Sequence, residues 1–317
     1  MLAHEGARGE ERIATIGDLL TAIQDVKKLL VERHWVDGKA AAEKVRFWLR
    51  GHAKEDWLLC PKGLRDPKPP MRAMLYEFRA EATILRDSPP RHHDLRQWLF
   101  LMQHHGMPTL LLDWTRSALA AIAFALEIER DRPEWDHQDG ALWVLRPGKW
   151  NELSKAMSTY ALLDAYSPDL DDLFAVHFDQ DAGARLSCSK SRAVTAVEPV
   201  FNSRRMIAQQ GVFTIHGLTS KPMEEVARAF QEQCLWKLIV PKDRKTALRQ
   251  ELHDLGIQLS SLFPDLDHLS ACIRHRYSGG RSTPGAEKVQ GDEDSGESTV
   301  RDDMGTEGAA PSDVTCG

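Results

Sequence analysis

Residues 103–125 read QHHGMPTLLLDWTRSALAAIAFA. Two adjacent histidines and a Gly-x-Pro turn lead into an apolar strand pattern. An Asp-Trp-Thr-x-Ser turn follows, and then an alanine-rich helix that reaches to about Arg130. The polar groups able to do chemistry (His104, His105, Asp113, Thr115 and Ser117) fall where elements end, and apolar residues fill the elements between them. Rigid elements with functional groups at their tips are how a fold usually carries a site. The alanines at 120, 121, 123 and 125 predict a helix pressed closely against a sheet or another helix.

Outward from this run, helical and strand patterns intermingle. Ile16, Leu19, Leu20, Ile23, Val26, Leu29 and Leu30 recur at helical spacing, with Thr15 and Asp18 as the cap. Val45, Phe47 and Leu49 alternate with Arg46, Trp48 and Arg50, which predicts a strand with two distinct faces, ended by Gly51. Met71, Met74, Leu75, Phe78 and Leu85 mark a helix entered through Pro69-Pro70. Leu95, Trp98, Leu99 and Met102 mark another, capped by Asp94 and stopped by Gly106. Strand patterns follow at 141–145, 212–216 and 235–240, with a helix from about Asp243 to Leu255 ended by Gly256. There is no regular βαβ rhythm and no Gly-rich phosphate loop. The pattern predicts an α+β fold, a single mixed domain with a small central sheet flanked by helices.

The chain has 317 residues, and a hydrophobic content of 42% suffices for a substantial core. Residues 1–14 are polar and read as a loose N-terminus, and 15–277 as the domain. From Ser278 onward there are nine acids, three bases and almost no large apolar residues, which predicts an acidic disordered tail at 278–317. That segment holds the whole net charge of -6; the remainder carries 38 acids and 38 bases, so composition announces no nucleic-acid face. No stretch has the length of a membrane span and no apolar run follows the first charges. Cys60, Cys188, Cys234, Cys272 and Cys316 form no CxxC pair, which fits a reducing cytoplasm.

Each candidate site residue has a structural reading beside its chemical one. Adjacent histidines on a helix point about 100° apart, so His104 and His105 are poor partners for one ion and no metal is expected; at least one reads as a hydrogen-bonded structural or catalytic group. Arg50 could bind an anion or pair with a carboxylate. Gly51 beside it would let a ligand approach the backbone. Asp113 could orient a histidine or cap the next helix, and Thr115 and Ser117 share that ambiguity. Gln209 and Gln210 could serve a site or satisfy backbone groups at a strand start. No Gly-x-Ser-x-Gly elbow exists, and Cys234 in CLWKLIV reads as an inert buried thiol.

Four segments in order resemble the FRG domain, a bacterial family named for an aromatic-Arg-Gly signature: FWLRGH (47–52), the run at 103–125, RRMIAQQGVFTIHG (204–217) and LHDLGIQLSSLFPDLDHLS (252–270). Leu49 departs from the pattern, standing where the family has its aromatic. A more distant similarity is to ADP-ribosyltransferases. They carry an arginine at the end of an early strand, a Ser/Thr-rich turn before a helix rich in alanine and phenylalanine, and a third polar residue on a later strand. That resemblance implies that Arg50 holds the pyrophosphate of NAD and that Thr115 and Ser117 meet its ribose hydroxyls. It implies that Trp48 or Trp114 stacks on nicotinamide, and that Gln209 or Gln210 takes the third place. The transferase pattern ends in a glutamate, so a glutamine there supplies a hydrogen bond but no charge; Glu198 or Glu127 would have to supply it. Two functions follow. One is an ADP-ribosyltransferase-like enzyme that uses NAD to modify a macromolecule, protein or nucleic acid, in the manner of a toxin or phage-defence effector. The other is a non-catalytic module that holds a nucleotide or phosphate.

Overall fold

The helix at 118–125 is built of small residues because it lies directly on a strand. In the computed structural model, a Cβ placed on Gly51 would sit 2.0 Å from the Ala121 carbonyl and 2.4 Å from the Ala125 nitrogen. The structure describes residues 12–32, 46–65, 67, 69–128, 135–154, 162–178, 194–199, 203–217 and 221–277. Val45, the end of the helix expected to reach Arg130, and the acidic segment 278–317 lie outside the described residues, as do the side chains of Leu29 and Leu30.

In chain order the main elements are α1 (Ile16–Glu32), β1 (Trp48–His52), α2 (Met71–Leu85), α3 (Leu95–His104), β2 (Leu111–Thr115), α4 (Ala118–Ala125), β3 (Gly140–Leu145), α5 (Pro147–Leu153) and β4 (Leu163–Asp164). There follow α6 (Asp171–Phe178), β5 (Val194–Glu198), α7 (Arg204–Ala208), β6 (Gly211–His216), α8 (Met223–Ala227), β7 (Leu235–Val240), α9 (Lys245–Asp254), α10 (Leu259–Leu262) and α11 (Leu266–Tyr277). The fold is α+β. Its sheet is larger than expected, with seven strands in the order β4-β5-β6-β2-β1-β3-β7. Neighbouring strands are antiparallel except for the short parallel pair β4 and β5.

The alternation around β1 sorts side chains to two faces as the sequence predicts. Phe47 and Leu49 join Leu142, Val144, Leu238 and Val240 in a core that also takes in α1, α4 and α9. Trp48 turns the other way, into a cluster with Trp114, Trp143 and Trp150 of α5. A third cluster packs Leu99 and Phe100 of α3 and Phe174 of α6 on Leu111, Phe213 and Ile215. Each fully buried side chain of this size is worth roughly 1.5–3 kcal/mol.

The boundaries move at several points. Ile13 is fully buried and its N–H reaches the Ile239 carbonyl at 2.8 Å, so the core begins inside the segment expected to be loose. Gly51 does not end β1, which continues to His52, and β2 runs through Asp113 and Thr115 rather than turning at Asp113. Asp18 caps α1 as predicted, accepting from the Thr15 N–H at 2.9 Å while the Thr15 hydroxyl accepts from its own N–H at 3.1 Å.

Candidate functional site

Strands β1 and β2 are neighbours joined at a single pair, Leu49 opposite Thr115. Beyond it they part, and Arg50 spans the fork. Its Nη1 donates to the Asp113 carbonyl at 2.6 Å, a backbone acceptor left open where the ladder stops. Its Nε donates to His52 Nε2 at 2.9 Å. His52 Nδ1 lies 3.1 Å from the Trp57 carbonyl, so this nitrogen carries the ring proton and Nε2 is the acceptor. The histidine is neutral in this arrangement: burial first, and then the Arg50 charge, hold it well below its ordinary value. Burial also lowers Arg50 to about 10, against the raising effect of Asp113, and the guanidinium stays charged at neutral pH. The Arg50 side chain is 19% exposed.

Opposite it, the Asp113 carboxylate lies 4.0 Å from Arg50 Nη1 and is 56% exposed. Gln103 holds it, donating from Nε2 at 2.7 Å, and the Gln103 oxygen accepts from the Thr109 hydroxyl. The fork opens into a cleft of about 1350 Å³. Ligand pockets commonly measure 300–1,000 Å³, so this one has room for a dinucleotide. Arg50, Lys62, Arg65, Arg204 and Arg205 bring positive charge to its walls, and Asp56, Asp113, Glu127 and Asp265 bring negative charge.

Of the residues singled out in the sequence, Arg50, Gly51, His104, His105, Asp113, Trp114, Thr115 and Gln209 border this cleft. Three others do not. Trp48 is fully buried in the core, so it offers no face to a ligand. Ser117 caps α4 through its side chain, which accepts from the Ala120 N–H at 3.2 Å and resolves the choice among the three cap candidates. Gln210 has a φ of 48°, and its carbonyl accepts from the Arg116 N–H at 3.1 Å. It serves the turn into β6.

Several that do border the cleft are committed elsewhere. The Thr115 hydroxyl donates to the Gln209 carbonyl at 2.6 Å and accepts from the Ser117 N–H at 2.9 Å, leaving it no hydrogen to donate to a ribose and one lone pair that can accept. Gln209 Nε2 donates to the Leu262 carbonyl at 3.2 Å. Trp114 is 3% exposed with its indole N–H 3.2 Å from the Thr214 hydroxyl. The missing side chain of Gly51 makes room for α4 and not for a ligand. Among the glutamates, Glu198 is paired with Arg116 and with Arg46 away from the cleft lining, and Glu127 lies on the cleft wall with a left-handed φ of 51°. Non-glycine residues rarely adopt that conformation, and such positions cluster at functional sites.

His104 ends α3 and His105 follows as its C-cap, their rings perpendicular and 4.8 Å apart. Ser203 lies 3.3 Å from His104 Nδ1. Burial, then the Arg205 charge, lower His104 to about 4, and burial with Arg86 lowers His105. Among the described residues no group of three or more His, Cys, Asp or Glu is placed to hold a metal ion. Cys234 is buried and its thiol is pushed up to about 12, beyond nucleophilic use.

Sequence reading missed His52, Gln103, Trp57 and Trp135. His52 carried a usable signal, since in a strand it shares a face with Arg50 two residues before it. Gln103 had none, because its link to Asp113 depends on how α3 packs against β2. Trp57 sits on a loop and Trp135 in a short 3-10 turn, where no periodicity speaks.

Residues 45–134 match the family model of the FRG domain. The matched span takes in β1, β2, the fork between them and α4; the two later segments that resemble the family lie beyond it. No curated protein and no solved structure matches the chain. Among the described residues no helix is long and apolar enough to cross a membrane.

Proposed function

We propose that this FRG-domain chain binds NAD in the β1/β2 fork and transfers its ADP-ribosyl group to a macromolecule. One observation carries the reading: the three segments that resemble transferases lie on adjacent strands β1, β2 and β6, with the Arg50 guanidinium at their fork. Arg50 lines a cleft of dinucleotide size, and a fixed planar guanidinium suits a pyrophosphate. In the transfer, the bond from ribose C1′ to the nicotinamide nitrogen breaks and neutral nicotinamide leaves with the bonding pair. The acceptor's nucleophile bonds to C1′ and gives up a proton. Asp113 and Glu127 supply the negative charge that favours a cationic C1′, and neutral His104 or His105 can take the proton. Gln209 lines the cleft with its Nε2 turned to the Leu262 carbonyl.

Calorimetry with NAD on the wild-type chain tests the reading. Arg50→Lys keeps the charge and loses the fork, and is expected to weaken NAD binding by about 1–3 kcal/mol. Labelled NAD with a cell lysate should then label a macromolecule. No heat and no thermal stabilisation at millimolar NAD would sink the proposal. The second reading, a nucleotide-holding module, is favoured by the commitment of Thr115 and Gln209 to backbone partners. It predicts NAD binding without release of nicotinamide.

A further inference from the structure

One end of the cleft wall is an aromatic corner. Trp57 and Trp135 both line it, both are partly exposed, and their rings meet edge to face at 5.0 Å. Leu58 beside them is 55% exposed. Two half-open indoles at right angles make a corner for a third flat ring, edge to one and face to the other, with Lys54 Nζ 5.6 Å over the Trp135 ring. That is how aromatic groups prefer to pack.

The corner is tied to the anion-binding arginine by one histidine. His52 accepts from Arg50 Nε and donates to the Trp57 carbonyl, and its ring lies 5.9 Å from the Trp57 ring. The second wall is fixed as firmly. The buried ammonium of Lys245 donates to the Trp135 carbonyl at 2.7 Å and to the Ala53 carbonyl at 2.8 Å. Arg50 and the tryptophan corner are thus held at fixed separation in one cleft before any ligand arrives.

We infer that Trp57 and Trp135 form a base-binding subsite, which stacks a planar heterocycle whose phosphate is held by Arg50. This rests on the NAD reading for the natural ligand but not for its chemistry, since any nucleotide supplies a base and a phosphate. Trp57 takes the stacking role that the transferase resemblance implies for Trp48 or Trp114.

The test compares NAD, AMP and nicotinamide mononucleotide with ribose 5-phosphate, which has the phosphate and no base. Wild type should bind the better mononucleotide more tightly than ribose 5-phosphate by on the order of ten- to a hundredfold, the range for stacking one base. Trp57→Leu should lose that difference while ribose 5-phosphate binds as before, and Trp57→Phe, which keeps a ring, should restore most of it. Trp135→Leu is the second variant should Trp57→Leu melt early, and is expected to lose part of the same difference. Tryptophan fluorescence should be quenched by the mononucleotide in wild type and much less in Trp57→Phe.

The inference is overturned if wild type binds NAD and both leucine variants bind it equally well. Mononucleotide binding that depends on Trp57, with no binding of NAD, keeps the subsite and removes the NAD reading. Binding of none of these nucleotides removes both.

Discussion

Gly51 has no side chain because α4 leaves no space for one. Its absent Cβ would meet backbone atoms of Ala121 and Ala125, which cannot rotate away as a flexible side chain could. Gly51→Ala should therefore cost about 3 kcal/mol, at the upper end for overpacking. A melting temperature lower by roughly 5–10 °C is the expected reading for a domain of this size. Gly211→Ala is the control. Its added Cβ would have its nearest neighbour at 3.6 Å, an ordinary contact, and stability should change by less than about 1 kcal/mol. An equal loss in both variants would show that strand flexibility, and not the approach of α4, is what matters. The same pair shows what was legible one residue at a time. Arg50 and Gly51 stand out in the sequence because a charge and a glycine interrupt an apolar alternation. That Gly51 serves the helix and not a ligand was not legible, since it depends on an element some seventy residues later.

Helix α3 brings Gln103 and His104 to one end, with His105 just beyond. A helix C-terminus ordinarily favours a protonated histidine. Here burial and the charges of Arg86 and Arg205 outweigh that preference and lower both rings. The unfolded chain takes up a proton near 6.5, whereas folded His104 does so only at about 4. Folded and unfolded chains thus bind equal protons above the unfolded value, and the unfolded chain binds more below it. The stability that rests on the neutral ring is complete above pH 6.5 and is lost as pH falls toward 4. Melting temperature should fall across that window in wild type, and less steeply in His104→Gln. A profile that is the same in both would mean that other groups govern the acid limb. The helix itself was legible from Leu95, Trp98, Leu99 and Met102 with the Asp94 cap, which accepts from the Gln97 N–H at 3.1 Å. The chemistry at its end was not. Periodicity gives the face of a helix and says nothing about which arginines from distant segments arrive beside its last turn.

The sheet as a whole is two ladders sharing one seam. On one side β4, β5, β6 and β2 are paired, on the other β1, β3 and β7. Leu49 with Thr115 and the bond from Arg50 to the Asp113 carbonyl join them at the strand level. Helix α4 reinforces the seam, since it leaves β2 at the Ser117 cap and crosses over Gly51 of β1. The individual strands at 141–145, 212–216 and 235–240 could be read from apolar runs. The seam could not, because β1 and β2, although consecutive strands, are separated by α2 and α3 and pair at a single position, which no local pattern announces. A ligand phosphate on Arg50 would bond to the group that already bridges both halves, so occupancy of the fork should stabilise the seam beyond its effect on the rest. At a hundredfold excess over Kd, binding adds about 2.7 kcal/mol to global stability. Hydrogen exchange with and without NAD separates the two effects. Amides of β1 and β2 are expected to gain more protection than those of β5 and β7, which feel only the global term. Arg50→Ala should speed exchange in β1 and β2 in the free chain and abolish the ligand-dependent difference. Equal protection of all strands on adding NAD would mean that the ligand binds away from the fork, and the seam would then be a structural joint and no part of the site.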